Sequence, residues 1–304
     1  MKVLVSGGAG FIGSNVVETL ETKGAKVVVL DDFSHAGYKN LLNLKAEVIC
    51  ADILDRDLYR KMPKFDAVIH EAAITDTTLP DERKMVMVNF EGFKNVFNFC
   101  AAKKIKLVYA SSAGVYGNGP SPMKEDQSLE PHNIYAYSKY LCDRYAKAYA
   151  LKSKIPLVVG LRYFNVYGPR EHHKGSSASM IYQLYLQMKE GKRPRIFKYG
   201  EQKRDFIYVK DVARITVDAL KLKKNAILNV GCGAARSFNE IISCLNKNMG
   251  KSLEPDYFDN PYAGVYQDFT CADSGLLKKN KLSAEFSLEK GIEDYIKNYL
   301  SANR

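Results

Sequence analysis

Lys2-Val3-Leu4-Val5-Ser6-Gly7-Gly8-Ala9-Gly10-Phe11-Ile12-Gly13 is the stretch on which the fold turns. Lys2 to Ser6 reads as a buried strand, and Ser14 to Lys23, with Val16, Val17 and Leu20 apolar, reads as a helix. Between them, Gly8, Gly10 and Gly13 satisfy G-x-G-x-x-G, and Gly7, Gly10 and Gly13 satisfy G-x-x-G-x-x-G. The strand–turn–helix context is what this motif requires. The early glycines permit a tight turn and close approach of a pyrophosphate. The last lets helix and strand pack closely, and the helix N-terminus offers N–H groups and a positive dipole end to the phosphates. Asp31, 18 residues past Gly13, closes the next apolar strand and suits a ribose. The motif with this carboxylate predicts a bound dinucleotide.

The rest of the first half repeats that alternation. Strands are expected at Lys26 to Leu30, Glu47 to Cys50, Ala67 to His70, Lys106 to Ala110 and Val158 to Arg162. Helical stretches separate most of them, including Val86 to Ala102 and Ala136 to Lys152. Short continuous apolar strands alternating with helices predict an α/β fold, a Rossmann-type doubly wound parallel sheet. Residues 1–167 are assigned to that dinucleotide-binding domain, which takes back roughly 205–231, where Ile227 to Val230 returns to strand character. Residues 168–304, irregular and rich in Gly, Pro and Tyr, mostly form a smaller C-terminal substrate-binding lobe.

The chain of 304 residues carries a formal charge of +11, spread along its length. A dispersed charge fits a lysine-rich surface or an anionic substrate and argues against nucleic acid. The six cysteines are scattered, with no metal-ligand or disulfide spacing. His172-His173 has no further ligands clustered with it, so no metal is expected. Neither a secretory leader nor a membrane-length apolar run is seen, so a cytoplasmic location is expected.

Chemistry enters at Tyr135-Ala136-Tyr137-Ser138-Lys139. Tyr135 and Lys139, four apart, share a helical face, while Tyr137 points elsewhere. An ammonium on that face stabilises a phenolate, which suits Tyr135 to act as a general base. Ser112, at the end of the fifth strand, is placed to bond the same reacting hydroxyl. The phosphate state of the cofactor is open. Asp31 and Asp32 repel a 2′-phosphate and favour NAD, whereas Lys39 in the following loop offers one a cation. Asp52, after the third strand, is placed either to meet the adenine amino group or to cap the next helix.

These residues, with His70-Glu71-Ala72-Ala73, Ser111-Ser112-Ala113-Gly114-Val115-Tyr116-Gly117 and Arg162-Tyr163-Phe164-Asn165-Val166-Tyr167-Gly168-Pro169, resemble the extended short-chain dehydrogenases/reductases of the sugar-nucleotide epimerase and dehydratase group. The resemblance implies Ser112, Tyr135 and Lys139 as the catalytic triad and one tightly held nicotinamide cofactor regenerated in each turnover. It adds Phe11, Ile12, Ile53, Glu71, Ala72, Ala73, Asn89 and Val166 to the cofactor contacts.

Three later stretches are similar to the ADP-L-glycero-D-manno-heptose 6-epimerases: Gly168-Pro169-Arg170-Glu171-His172-His173-Lys174-Gly175-Ser176-Ser177-Ala178-Ser179, Lys203 to Val209, and Tyr266-Gln267-Asp268-Phe269-Thr270-Cys271-Ala272-Asp273. This resemblance implies Lys174 as a second acid/base. It implies Ser112, Asn165, Lys174, Ser176, Gln183, Phe197, Gly200, Arg204 and Tyr266 as substrate contacts, with Gln183 where the family commonly has histidine. It also implies NADP rather than NAD, supply of lipopolysaccharide inner-core heptose, and a homo-oligomer, a pentamer by analogy.

The expected reaction inverts C6 of an ADP-heptose by transient oxidation. Hydride leaves and returns on opposite faces of one exocyclic carbon, so the ketone reorients and its oxygen meets Tyr135 in one pose and Lys174 in the other. Arg204, a planar donor fork, suits the substrate pyrophosphate. A UDP-sugar 4-epimerase is the alternative, using Ser112, Tyr135 and Lys139 alone. A dehydratase lacks its acidic pair here, since Ala113-Gly114 follow Ser112. A non-catalytic dinucleotide sensor would not need both Tyr135 and Lys139.

Overall fold

Seven short strands, apolar and mostly buried except at the edge, fix the architecture of the computed structural model, which describes residues 1–77, 80–260 and 268–301. They are β1 (Lys2–Ser6), β2 (Lys26–Asp31), β3 (Glu47–Cys50), β4 (Ala67–His70), β5 (Lys106–Ser112), β6 (Val158–Tyr163) and, after three small strands, β10 (Ala226–Val230). The small strands are β7 (Asn165–Tyr167), β8 (Arg195–Phe197) and β9 (Lys203–Tyr208). The large sheet runs β10-β6-β5-β4-β1-β2-β3, with every pairing parallel. The chain therefore moves outward from β1 through β2 and β3, then starts again on its other side at β4. That reversal opens a crevice beyond the carboxyl ends of β1 and β4, the place where doubly wound sheets bind ligands.

Helices cover both faces. On one side α1 (Phe11–Thr22) buries Val16, Val17 and Leu20 against the sheet. On the other side α2 (Arg56–Lys61), α4 (Gly92–Lys103) and α5 (Ile134–Tyr149) pack Tyr59, Phe93, Phe97, Cys142 and Ala146 on it. Asn133 caps α5, its side chain accepting from Ala136 N at 2.8 Å. A single helix was expected from Val86 to Ala102. Instead α3 (Glu82–Val86) passes through one wide turn at Met87–Glu91 before α4 begins. The wide turn directs Asn89 inward, where it accepts from Ile74 N at 2.8 Å and donates to Ile74 O and Ser138 Oγ at 3.0 Å.

After β6 the chain builds a smaller unit. It contains α6 (Met180–Lys189), α8 (Phe238–Met249) and α10 (Leu288–Tyr295), whose apolar faces share one core with Tyr167, Ile196, Phe206 and Tyr208. Strand β9 lies between β7 and β11 (Ala235–Ser237) in a three-stranded sheet, and β8 pairs with β12 (Asp256–Phe258). Between them α7 (Val209–Ala219) packs its buried face into the α1 side of the large sheet, and β10 completes that sheet. Thus within 205–231 the helix and second strand lie with the large sheet, while β9 lies with the small one. The short α9 (Gly275–Lys279) buries Leu277 in the α1-side core. Among the described residues no helix is long and apolar enough to cross a membrane, and no group of His, Cys, Asp and Glu side chains could hold a metal.

One buried ion pair ties α5 to the sheet. Arg162, fully buried, donates through Nε to Asp143 Oδ2 at 2.9 Å and through Nη1 to the Tyr116 hydroxyl at 2.7 Å. Tyr109 donates to the other Asp143 oxygen at 3.0 Å. Replacing Arg162 by Met leaves the Asp143 carboxylate buried without its cation. The expected loss is about 3–5 kcal/mol of unfolding free energy, read from urea denaturation. Removing both charges, with Arg162→Met and Asp143→Leu together, is expected to cost less than the single change.

Candidate functional site

A cavity of about 450 Å³ lies over the crevice between β1 and β4. The glycine turn forms its floor. Gly7 has φ +72°, and a Cβ there would meet Ala72 N at 2.4 Å; a Cβ on Gly13 would stand 2.0 Å from Gly7 O. No side chain caps α1 at Gly10, so the first-turn N–H groups point into the cavity uncapped. Together these features make a cradle shaped for a diphosphate.

Asp31 and Asp32 line the adjoining wall. Asp31 accepts from Ala9 N at 2.9 Å and from Phe33 N at 3.0 Å, so it also pins the glycine turn to the end of β2. Burial raises its pKa, opposed by those backbone bonds. Asp32 accepts from the backbone and hydroxyl of Ser34. Asp52 and Ile53 line the cavity too, while the cap of α2 is Asp55 rather than Asp52. Lys39 is not among the lining residues; its charge acts on His172.

At the other end stand the chemical groups. Tyr135, in the first turn of α5, and Lys139, one turn on, line the cavity with Ser111 and Ser112. The Lys139 ammonium donates to Ala110 O at 3.0 Å and lies 6.0 Å from the centre of the Tyr135 ring. Ser112 Oγ accepts from Gly114 N at 3.1 Å, whereas the buried Ser111 Oγ has no partner among the described residues. Tyr137 is exposed, as its spacing predicted. Glu71, Ala72, Ala73 and Val166 complete this end. Burial pushes the Glu71 carboxyl up to about 7, and Tyr163 Oη lies 2.8 Å from its Oε1.

Lys174 reaches the same cavity from the smaller unit, 5.7 Å over the Phe11 ring. Burial lowers its pKa, and the neighbouring Glu171 works against that. Its loop is held from inside. Glu171 is fully buried and accepts from Gly168 N at 3.0 Å, Ser179 N at 2.6 Å and Ser179 Oγ at 3.0 Å. Gln183 donates to Ser176 O at 3.0 Å and Ala178 O at 2.7 Å, so its amide closes the loop. His173 and Ser177, which lie in the Gly168–Ser179 stretch but were given no role in the site, also line the cavity. Asn40 was also missed: buried, it donates to Ala9 O at 2.9 Å, Arg170 O at 3.3 Å and His173 Nδ1 at 3.2 Å, joining the glycine turn to the Lys174 loop. A polar residue in a loop carries no signal of that task.

Among the described residues, the remaining expected ones lie outside the cavity wall. Asn89 is buried beneath it, in the contacts given above. Asn165 donates to Asp205 O at 3.2 Å and Thr270 Oγ1 at 3.3 Å. Arg204, almost buried, donates to Lys203 O at 3.0 Å, and its neighbour Asp205 is taken up by the N–H groups of Cys232, Gly233 and Ala272. Phe197 packs on Phe258, ring centres 5.0 Å apart, and Gly200 turns with φ +77°. Tyr266 lies outside the described residues.

Comparison with known proteins matches residues 3–231 to the model of the NAD dependent epimerase/dehydratase family. The chain is 39% identical over 310 aligned positions to the ADP-L-glycero-D-manno-heptose-6-epimerase of Brachyspira hyodysenteriae, covering 96% of each. The crystal structure of the Helicobacter pylori ADP-L-glycero-D-manno-heptose-6-epimerase superposes with a TM-score of 0.89 at 39% identity, over 97% of this chain and 95% of that one. The UDP-N-acetylglucosamine 4-epimerase of Methanobrevibacter ruminantium, in complex with UDP-N-acetylmuramic acid, gives a TM-score of 0.92 at 29% identity, over 99% and 98%.

The cradle itself is open to test. In Gly13→Ala the added Cβ cannot avoid Gly7 O, and backbone on both sides leaves it nowhere to move. Denatured wild-type protein is expected to release a nicotinamide nucleotide, and Gly13→Ala little or none. Gly37→Ala, whose Cβ meets nothing closer than 4.0 Å, serves as the control and is expected to retain it.

Proposed function

We propose, from the premise that this chain belongs to the NAD dependent epimerase/dehydratase family, that it is an isomerase converting ADP-D-glycero-D-manno-heptose to ADP-L-glycero-D-manno-heptose by inversion at C6. Identity of 39% across nearly the whole chain supports the substrate class. The observation that carries the mechanism is that Tyr135 and Lys174, from different structural units, line one cavity.

Gly7, Gly10, Phe11, Ile12 and Gly13 would hold the pyrophosphate of a nicotinamide dinucleotide, which when bound takes up and gives back a hydride. Asp31 would hold its adenine ribose. The chain's own part is proton transfer. In one pose Tyr135 takes the proton of the C6 hydroxyl as the C6–H bond breaks, and the Lys139 ammonium stabilises the phenolate. Ser112 bonds the same oxygen. The ketone then turns, presenting its other face, and its oxygen meets Lys174, which supplies a proton as the new C–H bond forms. Burial of Lys174 eases that proton loss, since a buried ammonium holds its proton less firmly. Run in reverse, the two groups exchange roles. Arg204, Asn165, Ser176 and Tyr266 are proposed to hold the nucleotide diphosphate and sugar.

Asp31 and Asp32 on the ribose wall, with Lys39 outside it, support NAD over NADP, because two carboxylates repel a 2′-phosphate. Action in the cytoplasm, supply of inner-core heptose and assembly as a homo-oligomer belong to the same reading.

The rival, a UDP-sugar 4-epimerase, draws on backbone likeness and on the triad alone. It gives Lys174 nothing to do. With ADP-D-glycero-D-manno-heptose as substrate and C6 configuration followed by NMR, Lys174→Ala is expected to lose about 10²–10⁴-fold in kcat. Near-wild-type turnover of that variant would sink the two-base mechanism. Turnover of UDP-galactose without turnover of the heptose would replace the substrate. The nucleotide released on denaturation is expected to be NAD, distinguished from NADP by mass.

A further inference from the structure

Four oxygens stand in series, starting at Glu71 and Tyr163 on the cavity wall. Glu71 Oε1 lies 2.8 Å from Tyr163 Oη, Tyr163 Oη lies 2.8 Å from Thr216 Oγ1, and Thr216 Oγ1 lies 2.7 Å from Val212 O. Each separation is that of an O–H···O hydrogen bond, and each bond needs one proton. The Val212 carbonyl has none to give. Thr216 and Tyr163 have one each. If Glu71 is a carboxylate, three contacts share two protons, and one pair of buried lone pairs meets with nothing between them. The count closes only when the third proton sits on Glu71.

We infer that Glu71 is held in the resting enzyme as a neutral carboxylic acid, donating to Tyr163, which donates to Thr216, which donates to Val212 O. Its surroundings agree. Tyr163 is buried and keeps its proton, its pKa raised well above the ordinary value by burial. Burial pushes the Glu71 carboxyl up to about 7 even against the Tyr163 hydrogen bond and the Lys139 charge, which both pull it down, while its neighbour His70 is buried, held neutral and bonded to Ser6 Oγ at 2.7 Å. Toward Glu71, α5 presents Lys139 with Tyr135 beside it, β6 presents Tyr163, and α7 presents only the Thr216 hydroxyl.

The consequence falls on Lys139, and here the inference rests on the proposed role of Tyr135. The Lys139 ammonium is bonded to the Ala110 carbonyl, not to a carboxylate. A neutral Glu71 leaves that positive charge uncompensated, so its full field acts on the Tyr135 phenolate. An ionised Glu71 in the same low-dielectric pocket would cancel part of it. Glu71 is thus a positioning residue for charge, acting on proton transfer through Lys139.

The protonation state is read by infrared difference spectroscopy on the holoenzyme without substrate, where a neutral carboxyl C=O band is separable from carboxylate and amide bands. Other buried carboxyls contribute, so Glu71→Gln supplies the difference. In slightly acid buffer the wild type is expected to show a neutral carboxyl band that the variant lacks; absence of that difference overturns the inference. Thr216→Val gives the sign. In the proposed chain it removes the hydroxyl that draws the Tyr163 proton away from Glu71, so Tyr163 turns to stabilise the carboxylate. The titration midpoint of the band is expected to fall by about half a unit to one unit. Were the chain to run the other way, Thr216 donating to Tyr163 and Tyr163 to an ionised Glu71, the same change would raise the midpoint, and that result overturns the proposal. Thr216→Ser, which keeps the hydroxyl, is expected to restore the wild-type midpoint. The alkaline limb of the kcat profile is expected to move down with the band in Thr216→Val; a limb that stays put refutes the link to Lys139. Because the band is measured without substrate, its outcome is independent of which sugar nucleotide is turned over.

Discussion

The structure depends on how closely backbone meets backbone under the glycine turn. A single methyl group on Gly13 would stand only 2.0 Å from Gly7 O, and one on Gly7 would strike the segment after β4. That contact brings the ends of β1 and β4 together at the reversal of strand order. The rest of the site is fastened to the same spot. Ala9, inside the turn, donates to Asp31 and accepts from Asn40. Asn15 and Ser14, one turn into α1, meet Pro169 O and Arg170 Nη1 at 3.0 and 3.1 Å. The turn that cradles a diphosphate is thereby also the mount for the loop carrying Lys174.

Legibility in the sequence follows the range of the interactions. The strand–turn–helix at Lys2 to Thr22, the alternating strands and the Tyr135–Lys139 pair all rest on neighbours within a few residues, and periodicity exposes them. The wide turn at Met87–Glu91 rests on Asn89 meeting Ile74 and Ser138, partners that become neighbours only after folding. The amide nitrogen of Gln183, expected among the substrate contacts, bonds two carbonyls of its own loop, partners that its residue type does not announce. Asn40 and Glu171 gave no signal at all, because their partners lie in segments that pack beside them only through the tertiary fold.

Burial acts on the charges of the cavity whatever their sign. It disfavours every ionised form, raising the carboxyls of Asp31 and Glu71 and lowering Lys174. At the reacting end Glu71 is weakened as an anion, and the Lys139 ammonium is bonded to a carbonyl oxygen. A site with this bias suits a diphosphate and the oxyanion that forms as a hydroxyl loses its proton. The dispersed +11 charge of the chain is the weak, long-range form of the same preference.

Inversion at an exocyclic carbon asks for motion in the substrate and stillness in the protein. If both acid/base groups drifted with the ketone, neither face would be defined. The two are accordingly braced by separate means. Tyr135 sits on a helix that two turns further on carries Asp143, locked to the fully buried Arg162. Lys174 sits on a short loop, which alone would be too soft, and a buried carboxylate at Glu171 takes three hydrogen bonds across its base to stiffen it. A flexible lysine side chain on a rigid loop offers a proton over a range of positions while its origin stays fixed. That tolerance suits the pose reached by rotation, whereas the rigid phenol suits the pose in which the substrate first binds.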